Sequence, residues 1–298
     1  MRVRRGVTLI ELIVVAAIIA LLATISLSGV AQARRMARTG ACQAALRGLG
    51  TALAAYATTH ADAVVPSYNM TGTAVGTHNP LDGWAVILDR EAFAGGAPGP
   101  TGNAFYCPDT LPRAGLAAAQ TGTDPDNPRG FMDWPAVLTL SQAYARPLPE
   151  RGMPRVLRVS YWINGENPIG RPLPVRQGVY YTGSVGYGPD PLGRTLRANR
   201  LTEVARPAAT IALADGLYAG NQDAPRRGAR DLRIGYRHVR GTAAANVAFA
   251  DGHVGMIRGD AFPRDFGGTA SAQQVREENV GGRPTCYADP DKWLAAGP

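Results

Sequence analysis

The first 31 residues constrain the fold more than any other part of the sequence. Arg2, Arg4 and Arg5 precede an apolar run from Val7 to Ala31 that contains a single charged residue. Its twenty-five residues rise about 37 Å as a helix, which exceeds the roughly 30 Å of a bilayer's hydrocarbon core. The run therefore predicts a membrane-spanning helix. Because the arginines precede the run, we expect the N-terminus in the cytoplasm and the rest of the chain outside it.

The charged residue within the run is Glu11, and a plain membrane anchor does not explain it. A carboxylate inserted at full depth costs about 3 kcal/mol, and we expect no partner for it within this helix. Two alternatives account for the apolar run: a simple signal anchor, or a secretory signal cleaved at the small residues Ala31-Gln32-Ala33. Both leave Glu11 without a role.

The segment around Glu11 resembles the processing site of type IV pilins and type II secretion pseudopilins, over the residues Gly6-Val7-Thr8-Leu9-Ile10-Glu11-Leu12-Ile13-Val14-Val15. The resemblance implies that a prepilin peptidase cuts between Gly6 and Val7 and that the new N-terminus at Val7 is methylated. Glu11 then becomes the fifth residue of the mature chain. Val7 departs from the family pattern, in which phenylalanine is usual.

The resemblance also implies an assembly role for Glu11. In a helical filament its carboxylate pairs with the free amine of Val7 on a neighbouring subunit, which neutralises a charge that would otherwise be buried alone. The implied partners are prepilin peptidase, other pilin or pseudopilin subunits and the inner membrane. The implied location is the inner membrane, crossed once, with the head outside the cytoplasm and a filament that is periplasmic or extracellular.

The sequence after the membrane run continues a helical pattern. No proline occurs before Pro66, so one helix can extend from about Thr8 to His60. Apolar side chains four and three residues apart predict a buried face that packs against a globular head, at Cys42, Leu46, Leu49, Leu53 and Tyr56. Basic side chains are expected on the exterior near the membrane surface, at Arg34, Arg35, Arg38 and Arg47.

The C-terminal half has the alternation of β-strands. Strands are predicted at Val156–Ile163, Val179–Val185, Thr210–Ala214, Asn246–Ala250 and His253–Ile257. The last two read as a hairpin closed by a type I′ turn at Asp251-Gly252. A sheet that follows a long helix predicts an α+β fold, in which an antiparallel sheet packs on the C-terminal half of the helix.

The head also resembles a pilin-like family, DUF1559, that has a C-terminal H-x9-DG motif. The similar segments are Cys42–Pro66, Tyr106–Asp109, Ser160–Asn164, Arg206–Gly216, Arg237–His238 and Phe249–Val254. Twelve residues rather than nine separate His238 from Asp251, with an insertion at Val239–Thr242. The resemblance implies a pilin-like fold more than it implies an activity.

Three cysteines in an exported chain predict one disulfide and one remaining thiol, and three pairings are open. The resemblance favours Cys42 with Cys107, because both lie in segments similar to the family. Cys286 is then the odd cysteine, and either an unpaired thiol or an intermolecular bond is open for it.

The sequence does not favour a metal site, a cofactor or catalysis. Asp124, Asp126 and Asn127 suggest calcium ligands, but their prolines fit an ordinary turn better. A second set of metal-ligand residue types is better explained by a hydrogen-bonded turn and a surface histidine; it comprises Asp215, His238, Asp251 and His253. Catalysis by Cys107 with a histidine is disfavoured because an exported thiol tends to be oxidised.

The charge argues against nucleic acid as a partner. The formal net charge is +8, but the arginines are scattered among acidic residues rather than clustered.

The expected organisation is a leader at 1–6, a transmembrane helix at 7–31, an amphipathic stalk at 32–60 and a head at 61–298. Within the head we expect an irregular part at 61–155, a sheet core at 156–265 and a tail at 266–298. The chain is interpreted as a filament subunit; the alternatives are a membrane-anchored binding or adhesion module and a secreted enzyme released after Ala33.

Overall fold

The structure, a computed structural model, describes a defined part of the chain. The described residues are 7–69, 82–95, 104–111, 130, 132–134, 136–138, 145–147, 157–165, 178–183, 185, 197–219, 234–238, 243–263, 272–278 and 281–289. The chain divides into a unit of residues 1–40 and a unit of residues 41–298. The expected leader at 1–6, the calcium candidates at 124–127 and the insertion at 239–242 lie outside the described residues.

The N-terminal pattern forms one long helix, α1, at Leu9–Thr59. It begins and ends one residue inside the expected limits of Thr8 and His60. The chain leaves the helix through two residues with positive φ, Ala61 at 53° and Asp62 at 72°. The Asp62 N–H donates to the Ala57 carbonyl at 2.8 Å, which satisfies a carbonyl of the last helical turn.

The predicted buried face of α1 is confirmed. Cys42, Leu46 and Leu49 are fully buried, and Leu53 and Tyr56 are almost so. They join one hydrophobic cluster with α2, at Trp84–Arg90, and with buried side chains of the sheet. Since this cluster lies entirely within residues 41–298, the last third of α1 is part of the head.

The head is built on a five-stranded sheet, and the predicted α+β class is confirmed. The strands are β7 at Tyr161–Ile163, β8 at Ile211–Asp215, β9 at Tyr218–Ala219, β10 at Ala244–Phe249 and β11 at Val254–Arg258. Their order across the sheet is β11-β10-β8-β7-β9. Pairing is antiparallel except between β7 and β9, which are parallel.

Both faces of the central strands are buried. Tyr161 and Ile163 of β7 belong to the cluster that contains α1, whereas Trp162 belongs to a second cluster with Ile211 and Phe262. Side chains of successive strand residues point to opposite faces, so each face of the sheet has its own core. The sheet is therefore an inner layer of the head.

The remaining regular elements are short. Two-residue strands β1 at Tyr68–Asn69 and β2 at Asp82–Gly83 pair with each other. Further pairs join β3 at Met132–Trp134 with β6 at Leu157–Val159, and β4 at Ala136–Leu138 with β5 at Ala145–Pro147. A 3₁₀ turn at Leu201–Glu203 and the helix α3 at Ala272–Glu278 complete the described elements.

The strand predicted at Val156–Ile163 is wrong as a single element. It divides at Ser160 into β6 and β7, which belong to different sheets. The Ser160 hydroxyl accepts the Cys107 N–H at 2.6 Å, and the Ser160 N–H donates to the Phe105 carbonyl at 3.0 Å. These bonds to the segment around Cys107 interrupt the strand.

The strand predicted at Val179–Val185 is also wrong. Its described residues form isolated bridges, including Tyr180 with Tyr287 and Thr182 with Gly165. The backbone bonds of the segment go to several parts of the chain: the Thr182 N–H donates to Asn164, and the Gly183 carbonyl accepts the Ser67 N–H. An extended segment without one continuous neighbour does not form a ladder.

The hairpin between β10 and β11 is confirmed, but its turn differs from the expected type I′. Gly252 has a φ of 92°, whereas Asp251 is not among the residues with positive φ, and type I′ requires both. The Gly252 N–H donates to the Phe249 carbonyl, and the Phe249 N–H to the His253 carbonyl, both at 2.9 Å. This pattern is a three-residue loop with a left-handed glycine.

Candidate functional site

The start of α1 is closed by a reciprocal cap between Thr8 and Glu11. The Thr8 N–H and hydroxyl both donate to Glu11 Oε2 at 2.8 Å, and the Glu11 N–H donates to Thr8 Oγ1 at 3.3 Å. This is the capping box of a Thr-x-x-Glu sequence. The expectation that Glu11 has no partner in its own helix is therefore wrong, because Thr8 holds its carboxylate. Gly6 lies outside the described residues.

The apolar surface that follows is exposed all around the helix. The large apolar side chains from Val7 to Met36 are exposed, and Val7 itself is 74% exposed. The helix is long and apolar enough to cross a membrane. Beyond the apolar run, Arg34, Arg35 and Arg38 are exposed, as expected.

The structure joins Cys42 of α1 to Cys107 in a disulfide that lies wholly within the head. The Cα atoms are 4.9 Å apart, and both side chains are fully buried. The bond closes a sequence separation of 65 residues. Cys286 is fully buried and is not part of this disulfide.

A buried charged network lies beside this disulfide. His238 Nε2 is 2.9 Å from Asp215 Oδ2, and His238 Nδ1 is 3.3 Å from Asp109 Oδ2. Asp215 lies at the end of β8, and His238 is held by two backbone hydrogen bonds to Ala244 at the start of β10. His238 Nε2 also faces Cys107 Sγ at 4.0 Å. The imidazole is thus enclosed by two carboxylates and the disulfide.

Arg237 places a positive charge beside Asp215. Its two terminal nitrogens donate to Thr110 Oγ1 at 2.6 Å and to the Ser160 carbonyl at 2.9 Å. Its Nε is 3.8 Å from Asp215 Oδ1, and neither of these two buried atoms has a hydrogen bond in the structure. Burial lowers the pKa of the Arg237 guanidinium, and the Asp215 carboxylate acts against that shift.

The network also reaches α1. Asp215 Oδ2 accepts the Asn246 N–H at 2.6 Å, and Asn246 Oδ1 accepts an amide hydrogen of Gln43 at 3.1 Å. The Tyr161 hydroxyl donates to the Cys42 carbonyl at 3.3 Å. Burial raises the pKa of Tyr161 well above its usual value, and the charge of Asp215 adds to the effect.

The second set of metal-ligand residue types separates into two pairs. Asp215 and His238 are buried in the network, whereas Asp251 and His253 form an exposed pair on the hairpin, with Asp251 Oδ1 2.6 Å from His253 Nδ1. The His253 ring stacks on Phe249 at 4.1 Å between centroids. The expected hydrogen-bonded turn and surface histidine therefore describe the hairpin pair, while His238 is a core residue.

The comparisons with known proteins concern the N-terminus. Residues 1–27 match the family model described as the prokaryotic N-terminal methylation motif. The chain carries a prepilin-type methylation motif. No curated protein and no solved structure matches the chain.

The methylation motif and the geometry of α1 agree on the nature of the N-terminus. The motif supports a pilin-like protein and a prepilin-like substrate of prepilin peptidase. The exposed apolar part of α1, which begins within the motif, supports a single-pass membrane anchor. The motif includes Gly6, Val7 and Glu11, which are the residues singled out for processing and assembly.

Several contributors to these sites were missed in the sequence. Thr8 could have been found, because threonine three residues before glutamate at a helix start is the signature of a capping box. The pairing of Asp109, Arg237 and Asp215 around His238 has no local signal. Arg237 and His238 are adjacent, but Asp109 and Asp215 are far from them in sequence and meet them only through the tertiary fold.

Proposed function

We propose that this protein is a structural subunit of a type IV pilus-like or type II secretion pseudopilus-like filament. Prepilin peptidase cuts it after Gly6, Val7 becomes the methylated N-terminus, and the apolar part of α1 mediates assembly. The N-terminus faces the cytoplasm and the head lies outside it. The role of the chain is structural rather than catalytic.

The observation that carries this proposal is the prepilin-type motif at residues 1–27. The start of α1 supports it, since Val7 and the helix surface that follows are exposed. An apolar helix surface of this extent needs a lipid or protein environment. A membrane supplies that environment before assembly, and neighbouring helices supply it in a filament.

Glu11 changes partner in this mechanism. In the single chain its carboxylate accepts both hydrogen bonds from Thr8, and a cap of this kind contributes about 1 kcal/mol to the helix. In the filament the carboxylate pairs with the amine of Val7 on a neighbouring subunit, which compensates both charges in an apolar environment. The pair also fixes the axial register between subunits.

The head is consistent with a filament surface. Its motifs resemble the DUF1559 family of pilin-like proteins, including the segment around Cys107 and the hairpin at Asp251. A structural role for the buried network around His238 also fits the geometry. Cys107 faces His238 but is bonded to Cys42, so it offers no thiolate for nucleophilic catalysis while the disulfide is intact.

The alternative is a membrane-anchored binding or adhesion module that does not polymerise. A surface cavity of about 210 Å³ favours it, since its lining is mostly apolar and includes Leu53, Tyr181, Pro207, Phe249 and Asp251. Such a module needs the anchor but has no need of a charge on Glu11.

The substitution Glu11→Gln separates the two functions. Glutamine keeps the capping box but cannot form the ion pair with a neighbouring amine. We expect wild type, Glu11→Gln and Glu11→Ala all to begin at Val7 when the N-terminus is sequenced by mass spectrometry. In filaments sheared from the native cells, we expect the amount of each variant to be at least about tenfold below that of the wild type. A tenfold reduction corresponds to a loss of about 1.4 kcal/mol.

Glu11→Gln that enters filaments as well as wild type would contradict the ion pair and leave Glu11 with a capping role alone. Two other results would contradict the filament proposal itself. A mature chain that begins at Arg34 would identify a released domain, and an intact Met1 would identify a plain anchor.

A further inference from the structure

Three metal-ligand atoms converge at the buried junction of α1 and the head sheet. The sulfurs of Cys42 and Cys107 and a ring nitrogen of His238 all lie within 4.8 Å of one another, and all three residues are buried. In the described structure the two sulfurs are bonded to each other. The same atoms have a different chemistry once that bond is reduced, because two thiolates and an imidazole are typical zinc ligands.

The surroundings of His238 match those of a zinc-binding histidine. Its Nε2 faces both Cys107 Sγ at 4.0 Å and Asp215 Oδ2 at 2.9 Å. Its Nδ1 faces Asp109 Oδ2 at 3.3 Å on the other side of the ring. A carboxylate on the distal nitrogen is the usual partner of a metal-bound imidazole, because it fixes the ring and makes it more basic.

We propose that the reduced chain binds one zinc ion through Cys42, Cys107, His238 and Asp215, with Asp109 as the positioning residue. The sulfurs, 2.01 Å apart in the disulfide, separate to roughly 3.8 Å, the edge of a tetrahedron with zinc–sulfur distances near 2.3 Å. The Asp215 carboxylate withdraws from Nε2 to admit the ion.

The charges of the zinc ion, its four ligands and Arg237 sum to zero. Two thiolates and the Asp215 carboxylate carry three negative charges, which the zinc ion and the adjacent Arg237 guanidinium neutralise. Arg237 is held in place by Thr110 and Ser160 without using the ligand atoms of Asp215. A buried site of this kind needs such compensation, since an unpaired charge is strongly destabilising there.

The disulfide and the zinc site exclude each other. A dithiol reductant opens the disulfide by thiol–disulfide exchange, so the reductant becomes a cyclic disulfide while Cys42 and Cys107 become thiols. Zinc binding then releases the two thiol protons. In the reverse direction a protein disulfide accepts the two electrons, the cysteine pair re-forms its bond and the zinc ion leaves. The head thus has a metal crosslink when reduced and a covalent one when oxidised.

The test measures metal in the full chain in detergent micelles. The protein is unfolded, refolded with a phosphine reductant and zinc, and freed of unbound metal. Its zinc content per chain is then measured by elemental mass spectrometry. We expect one zinc ion per reduced chain and none per oxidised chain. Cobalt substituted for zinc should give the absorption of a tetrahedral thiolate site. A reduced chain that refolds, by its tryptophan fluorescence, but holds no metal would overturn the proposal.

Variants identify the ligands. Cys107→Ser and His238→Gln should lose the stoichiometric ion, whereas Cys286→Ser should keep it, because that thiol belongs to another cluster. Asp109→Asn leaves all four ligands in place and should bind one ion with an affinity about 10- to 100-fold lower. Retention of the ion by His238→Gln, or its loss in Cys286→Ser, would show that the metal lies elsewhere.

Discussion

Removing the disulfide by the double substitution Cys42→Ala and Cys107→Ala should destabilise the head by about 6 kcal/mol in total. The bond closes a loop with a sequence separation of 65 residues, and the loss of loop-closure entropy in the unfolded chain corresponds to about 4 kcal/mol. Both sulfurs are fully buried, so truncation adds roughly 1 kcal/mol for each. Replacing both cysteines avoids leaving a reactive thiol beside His238.

Urea unfolding of the full chain in detergent measures this difference. Tryptophan fluorescence follows the head, because Trp84 and Trp162 are each buried in one of its hydrophobic clusters. With an m-value of about 3 kcal/mol per molar of urea, a loss of about 6 kcal/mol lowers the midpoint of unfolding by about 2 M. A chelator is included throughout so that no metal replaces the crosslink.

Cys286→Ala is the matched control. It also removes a fully buried sulfur but opens no loop, so we expect a loss of about 1 kcal/mol. Subtracting twice this loss from the loss of the double variant isolates the crosslink from the packing. A double variant that loses no more than twice as much as Cys286→Ala would refute the loop-entropy reasoning, and reduction of the wild type should then have no effect either.

Two further predictions concern local packing and pH. Gly165→Ala should cost about 1–3 kcal/mol in the same urea assay, because the added Cβ would lie 2.8 Å from Thr182 Cγ2. Gly48→Ala on α1 has space for its Cβ and should stabilise the protein by up to about 1 kcal/mol. Equal effects of the two substitutions would contradict this reasoning. Burial raises the pKa of Tyr56 to about 12, so its proton is held more tightly in the folded state than in the unfolded state. Stability should therefore fall as the pH rises from about 10 to 12, and this dependence should diminish in Tyr56→Phe, as measured by unfolding at each pH.

The long helix was predictable from the sequence for a simple reason. Its start, its end and its buried face depend on local information: the absence of proline, the spacing of Cys42, Leu46 and Leu49, and the apolar run. The hairpin was predictable on the same grounds, from alternation on both sides of a glycine. Its turn type was not, since Asp251-Gly252 fits more than one loop and the hydrogen bonds of Phe249 decide between them.

The interrupted strand shows where local patterns fail. Residues Val156–Ile163 alternate well enough for one strand, yet Ser160 bonds to the segment at Phe105 and Cys107 and divides it. The network around His238 fails in the same way. Asp109, Asp215 and His238 lie on segments that pair through the tertiary fold, and a single sequence does not specify those pairings.

The two parts of α1 depend on different sources of stability. From Val7 to Met36 its apolar side chains are exposed, so lipid or neighbouring subunits must cover them. From Ala41 onward its apolar face is packed in the head core, which the Cys42–Cys107 disulfide crosslinks from within. In the filament proposed above, transfer out of the membrane replaces the lipid around the first part. A head that is crosslinked within its own core can keep its fold through that transfer, as the proposed subunit requires.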